Sequence, residues 1–169
     1  MSVNASLHDD FLEEKEVEDT QEDKFLTFFL GDGEYGIEIR HVTEIIGIQN
    51  ITDVPDMPSY VKGVINLRGK VVPVLDVRLR FGMEERGYDD RTCIVVINID
   101  SHAVGLIVDR VSEVLDIPKN DVEVPPKVKK GEGSRFVKGI GKLGDNVKIL
   151  LDAPSLLFEK EESVYEMVL

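Results

Sequence analysis

Residues 36–48 of this 169-residue chain return, altered but in step, at residues 105–117, and that duplication restricts the possible folds more than any other feature. Gly36, Ile37, Val42, Glu44, Ile45 and Ile48 reappear as Gly105, Leu106, Val111, Glu113, Val114 and Ile117, each 69 positions later. Further on, Val61, Lys62, Gly63 and Val64 reappear as Val137, Lys138, Gly139 and Ile140, and Val74, Leu75 and Asp76 as Leu150, Leu151 and Asp152, now 76 positions later. The seven extra residues fall in residues 118–135, where Pro118, Pro125, Pro126, Gly131 and Gly133 indicate a loop. A fixed offset of this kind marks a repeated supersecondary unit.

Within each copy the texture is strand and turn: short Val- and Ile-rich runs broken by Gly, Pro, Asn and Asp. Residues 25–30 with 35–39, 61–67 with 71–77, and 93–99 with 104–108 read as hairpins, with Arg68, Gly69 and Lys70 at the middle turn. Ile39, Val42 and Ile45 or Ile46 have helical spacing over one or two turns, as do Val108, Val111 and Val114 or Leu115; residues from Leu156 or Leu157 to Leu169 suggest a terminal helix. A five-strand unit of about 60 residues cannot cover its apolar face as a flat sheet, whereas closure removes exposed edges. The expectation is a mainly β protein of two five-stranded barrels, with a ten-strand sheet or sandwich as the alternative. The offsets place Ile37 with Leu106, and Val64 with Ile140, at matching interior sites.

Charge narrows the choice of partner. The 33 Asp and Glu against 20 Lys and Arg give a formal charge of −13, a balance that disfavours binding through nucleic-acid phosphates or anionic lipid and favours protein partners. Residues 1–23 hold nine acids against Lys15 alone and few large apolar side chains, the composition of a disordered acidic tail. No apolar run approaches the roughly 20 residues needed to cross a bilayer, and the acidic start is unlike a signal peptide, so a cytoplasmic protein without membrane insertion is expected.

The motifs that could carry chemistry are weak. Gly31, Gly33 and Gly36 spell G-x-G-x-x-G after a strand, but residues 35–39 alternate like another strand, and Asp32 and Glu34 would repel a phosphate. The second copy has Asp100, Ser101 and His102 at the corresponding turn, so a hairpin is the better reading and a nucleotide- or small-ligand-binding barrel the alternative. His8, His41 and His102 lack metal-ligand spacing, the lone Cys93 sits in an apolar strand, and no nucleophile elbow or P-loop occurs. Asp76 and Asp152, each after an apolar strand, suit a turn or backbone-capping role, and Lys127, Lys129, Lys130 and Arg135 form a basic loop. No catalytic residue, metal site or cofactor is expected. Arg68 stands out because its counterpart is Gly144, so the repeated fold does not itself require arginine; Glu44, matched by Glu113, ranks below it.

The stretch YVKGVINLRGKVVPVLDVRLRF at residues 60–81 strongly resembles the signature of the CheW family of bacterial chemotaxis coupling proteins. The resemblance extends through residues 25–48 and 103–117 and covers residues 24 to about 158. It implies two intertwined SH3-like barrels over residues 24–158, with a boundary near 82–92; residues 159–169, beyond the resemblance, are expected to form a C-terminal helix or tail. It also implies a non-enzymatic adaptor joining the helical cytoplasmic tips of chemoreceptors to the regulatory domain of the histidine kinase CheA, at receptor arrays on the inner face of the membrane. By the same resemblance Ile39, Val42, Glu44, Arg68, Gly105, Val111 and Val114 are receptor-coupling positions, and Gly63 and Asn66 belong to a receptor or kinase interface. A kinase regulatory module would share the fold, but the chain has no ATP-binding or phosphotransfer motif; a variant fused to a receiver domain fails on length.

Overall fold

The computed structural model describes residues 21–125, 135–159 and 162–168. The expected disorder of the tail, His8 and the lysines at 127, 129 and 130 lie outside the described residues, except for the tail's last three positions. Strands β1 (Lys24–Leu30) and β2 (Gly33–Glu38) form the first hairpin, and β6 (Cys93–Ile99) and β7 (His102–Val108) form its repeat counterpart. Gly31 turns the first with φ 60°, and Asp100 and Ser101 turn the second with φ 50° and 67°. The glycine motif is therefore hairpin: Gly33 and Gly36 lie inside β2, and no helix follows the turn. A Cβ on Gly36 would come within 3.1 Å of Leu150, and one on its counterpart Gly105 within 2.7 Å of Val74 and Ile94, so both glycines let a neighbouring strand approach.

The remaining strands are β3 (Val42–Gly47), β4 (Val61–Leu67), β5 (Lys70–Asp76), β8 (Arg110–Asp116), β9 (Val122–Glu123), β10 (Val137–Leu143) and β11 (Asn146–Leu151). They do not join the hairpin of their own copy. One sheet runs β3-β6-β7-β5-β4 and the other β8-β1-β2-β11-β10-β9, so each copy's hairpin completes the sheet of the other copy. The junctions are the parallel pairs β5 with β7 and β11 with β2. Both sheets share the order third strand, first, second, fifth, fourth, with the two-residue β9 added at the end of the second, and the architecture is two SH3-like β domains built by reciprocal exchange.

The largest apolar cluster spans both sheets and includes Leu26, Phe28, Ile37, Leu75, Val95, Ile97, Leu106 and Leu151. Smaller clusters lie within each domain, around Ile65, Val72, Val74, Ile94, Val96 and Ile107 in one and Phe25, Ile117 and Leu150 in the other. Each fully buried Leu or Ile contributes about 1.5–3 kcal/mol. Arg80, itself buried, lies between the rings of Tyr60 and Phe136, at 4.2 and 4.7 Å from their centroids. Those two aromatics are repeat counterparts, and their carbonyls accept from Asp76 and Asp152, also counterparts, at 2.7 and 2.8 Å.

Three expectations are corrected. The helical spacings at Val42–Ile45 and Val111–Val114 belong to strands β3 and β8; only Ile39–His41 makes a short 3₁₀ turn. A bulge is the cause: Val42 opposes Ile97 and Ile45 opposes Val95, while Val111 opposes Phe28 and Val114 opposes Leu26, so same-face positions fall three apart across the extra residue. Val64 and Ile140 match each other but are only half-buried, since they sit on the half-covered side of strands β4 and β10. The C-terminal segment is no continuous helix. A turn at Ala153–Leu156 gives way to the short strands β12 (Phe158–Glu159) and β13 (Glu162–Ser163), and a helix forms over Val164–Val168. Arg80 donates to the carbonyls of Leu156 and Phe158, which a longer helix would use internally.

Candidate partner-binding site

The β4–β5 hairpin closes through two residues, Arg68 and Gly69, both left-handed at φ 51° and 84°. That turn matches the right-handed twist of the strands, and Asn66 Oδ1 fixes it by accepting from the Gly69 amide at 2.8 Å. A left-handed arginine is about 1–2 kcal/mol less favourable than glycine. The other copy has Gly144 there, with φ 61°. Arginine is thus held at a position whose backbone favours its absence.

Its side chain turns to β3. Arg68 Nη1 donates to Glu44 Oε1 at 3.1 Å and Nη2 donates to Oε2, a bidentate pair. The Arg68 side chain is 71% exposed and that of Glu44 27%. The hydrogen bonds and charge of Arg68 hold the Glu44 carboxyl below its ordinary value, and the same contact raises Arg68. Sequence reasoning singled out both residues without joining them.

The pair stands on the rim of a depression of about 380 Å³ whose apolar floor includes Val72, Val96 and Ala103, with Thr43, Lys70 and Asn98 around it. Lys70 is exposed and has no ion pair among the described residues. The other domain keeps a glutamate, Glu113, in place of Glu44 but differs at the floor and at both cations. Lys148, Thr27 and Glu34 replace the floor, with Lys148 and Glu34 forming an ion pair that is largely shielded from solvent, and Gly144 and Asn146 replace the two rim cations. Thr27 is fully buried and donates to the Glu113 carbonyl at 2.9 Å. One domain therefore offers an apolar floor under a cationic rim, and its twin fills the same place with its own charges. The offsets contain this signal, but it emerges only when floor positions are compared along with Arg68.

The other expected positions do not converge on that rim. Ile39, Val42 and Val111 are half-buried against the main core, and Val114 lies 49% exposed on β8 of the second sheet. Gly105 is buried under its close strand contacts. Gly63, at φ 141°, would place a Cβ 2.0 Å from the Thr52 carbonyl oxygen, so its backbone role is set by the bulge of β4. Asp76 caps the helical turn Val77–Arg80 by accepting from the Leu79 amide at 3.2 Å, whereas Asp152 makes no side-chain cap. Among the described residues no three His, Cys, Asp or Glu side chains are grouped to hold a metal ion, and no helix is long and apolar enough to cross a membrane.

Residues 24–161 match the family model of the CheW-like domain. The chain belongs to the CheW family. It is 37% identical over 145 residues to the chemotaxis protein CheW of Klebsiella aerogenes, covering 86% of this chain and 87% of that one. It is 33% identical over 142 residues to the chemotaxis protein CheW of Treponema pallidum, covering 82% and 84%. Among solved structures it resembles the scaffolding protein TtCheW of Thermoanaerobacter tengcongensis, with a TM-score of 0.76, 36% identity, and coverage of 83% of this chain and 91% of that one. In this CheW-family chain Arg68, Lys70 and the apolar floor beside them are features that its own second copy does not repeat.

Proposed function

We propose that this protein is a non-enzymatic chemotaxis adaptor that couples the cytoplasmic tips of chemoreceptors to the regulatory domain of the histidine kinase CheA, in the cytoplasm at receptor arrays. The observation that carries this reading is the asymmetry of the two domains: one has an open apolar depression rimmed by Arg68, Glu44 and Lys70, and the other is filled. A shallow apolar surface with a charged rim suits one face of a helix. Arg68, although paired with Glu44, is still mostly exposed, so its outward N–H groups remain available to a partner carboxylate. Control of the kinase then requires that the adaptor's contacts differ between the kinase's two states, since only differential affinity shifts a population. Ile39, Val42, Gly63, Asn66, Gly105, Val111 and Val114 enter this reading as positions that shape or support the partner surfaces.

The test is a ternary mixture of the protein, a receptor tip fragment and CheA, with kinase activity as the readout. Arg68→Ala is expected to lower receptor-dependent activation without lowering the melting temperature, and Arg68→Lys to recover part of it. Full activation by Arg68→Ala would overturn the assignment.

A further inference from the structure

The surface beside Arg68 does not end at the rim. Lys70, Val72, Asn98 and Ala103 also border a second depression of about 420 Å³, completed by Val71, Ser101 and Tyr165. Tyr165 comes from the helix Val164–Val168, outside both repeats, and is held there by two contacts. Val164 is fully buried in the main core, and the Tyr165 ring stacks on His102 with centroids 4.1 Å apart and an interplanar angle of 27°. Its hydroxyl has no hydrogen-bond partner among the described residues. Next to it stand Val71, an apolar side chain 52% exposed, and the ammonium of Lys70, which has no ion pair among the described residues.

Two of these three features are absent from the other copy. Val147 repeats the exposed Val71, but Asn146 stands where Lys70 does, and among the described residues no segment corresponds to Tyr165. The fold accounts for the valine and for neither the cation nor the aromatic wall. A chain of net charge −13 that keeps an exposed lysine beside a rim arginine and an exposed apolar side chain presents a local surface complementary to acid flanked by apolar groups.

We propose that the docking surface runs from Arg68 across Lys70 to Tyr165 and takes an acidic, amphipathic segment of the receptor tip, one carboxylate on Lys70 and an apolar side chain between Val71 and the Tyr165 ring. This rests on the adaptor reading above and extends its partner surface to a part of the chain outside the duplication. Tyrosine and rim charges are residue types that carry binding energy and salt dependence at such surfaces.

The experiment is calorimetric binding of a receptor tip fragment to the full chain and to Arg68→Ala, Lys70→Glu, Tyr165→Ala, Tyr165→Phe and Asn146→Glu, each paired with a melt. Lys70→Glu and Tyr165→Ala are expected to weaken binding by roughly tenfold at unchanged melting temperature, a loss typical of one interfacial anchor. Tyr165→Phe keeps the ring and should restore most of the affinity; Asn146→Glu, at the matching place in the other domain, should have no effect; Lys70→Glu should also flatten the salt dependence. If Lys70→Glu and Tyr165→Ala bind like the unaltered protein while Arg68→Ala is weakened, the extension is wrong and the adaptor site stands. If Arg68→Ala binds normally too, the site itself is wrong. Should Tyr165→Ala unfold, Lys70→Glu decides alone.

Discussion

At Arg68 backbone preference and side-chain chemistry oppose one another. Replacing it by glycine removes a left-handed non-glycine residue and one exposed ion pair, terms of about 1–2 and 0–1 kcal/mol that act in opposite directions. Arg68→Gly should therefore leave the melting temperature unchanged or raise it, while receptor-dependent kinase activation falls; a clear loss of stability would mean that the pair holds β3 to the hairpin. Asp109 is the contrasting case. Its carboxylate accepts from Arg78 Nε and Nη2 at 2.7 and 2.6 Å, from Arg86 at 3.1 Å and from the Gly31 amide at 2.7 Å. Burial opposes its ionisation, but those hydrogen bonds and the arginine charges outweigh it and hold the carboxyl below its ordinary value. A lowered folded pKa contributes stability that is present above the unfolded value, about 4, and is lost as pH falls through the folded one. Asp109→Asn is expected to cost about 2–3 kcal/mol at neutral pH and to flatten the acid limb of a stability-against-pH curve measured by denaturant titration. Arg68 was legible in the sequence because its counterpart is glycine. Its partner was not, since Glu44 lies 24 positions away on another strand and has Glu113 as its own counterpart.

Among the elements, hairpins were readable and the edge strands β3 and β8 were not. Period-two alternation and turn residues locate β1–β2, β4–β5 and β6–β7 closely, because each pairs with its neighbour in the chain. Strands β3 and β8 carry a bulge, so the residues that share a face step by three and imitate a helix. The bulge in β4 has its own requirement, tested by Gly63→Ala. With φ 141° and a carbonyl oxygen 2.0 Å from the added Cβ, this change should cost at least about 3 kcal/mol by thermal or denaturant melt. Gly69→Ala, where a Cβ meets nothing within 4 Å and only the left-handed φ is at issue, should cost about 1 kcal/mol. Equal losses would show that the bulge can relax, and any coupling defect of Gly63 variants would then need an explanation other than lost folding.

For the molecule as a whole, the duplication was plain and the exchange was hidden: constant offsets are the same whether the last three strands of a copy join their own hairpin or the other's. The exchange makes each domain dependent on both copies. Residues 24–81 and 82–168 expressed separately should each lack a cooperative melt by circular dichroism, and mixing them should restore one; a separately folding half would contradict the sheet order. Ile37→Ala and Leu106→Ala, both fully buried in the shared core, should each cost about 2–4 kcal/mol, and the half-buried Val64→Ala and Ile140→Ala distinctly less.

The same exchange sets an order of events during synthesis. Hairpin β1–β2 leaves the ribosome first, yet its partner strands β8 and β11 are made only after β3 to β7, whereas β3, β4 and β5 wait only for β6 and β7. The five-stranded domain can thus assemble on the ribosome while the first hairpin, which carries Phe25 and Phe28, waits for β8 and stays without its second partner strand β11 until Leu151 emerges, a delay of roughly 5–25 s. In that interval the nascent chain carries an incompletely paired apolar ribbon with a strand edge open to a chaperone or a neighbouring nascent copy.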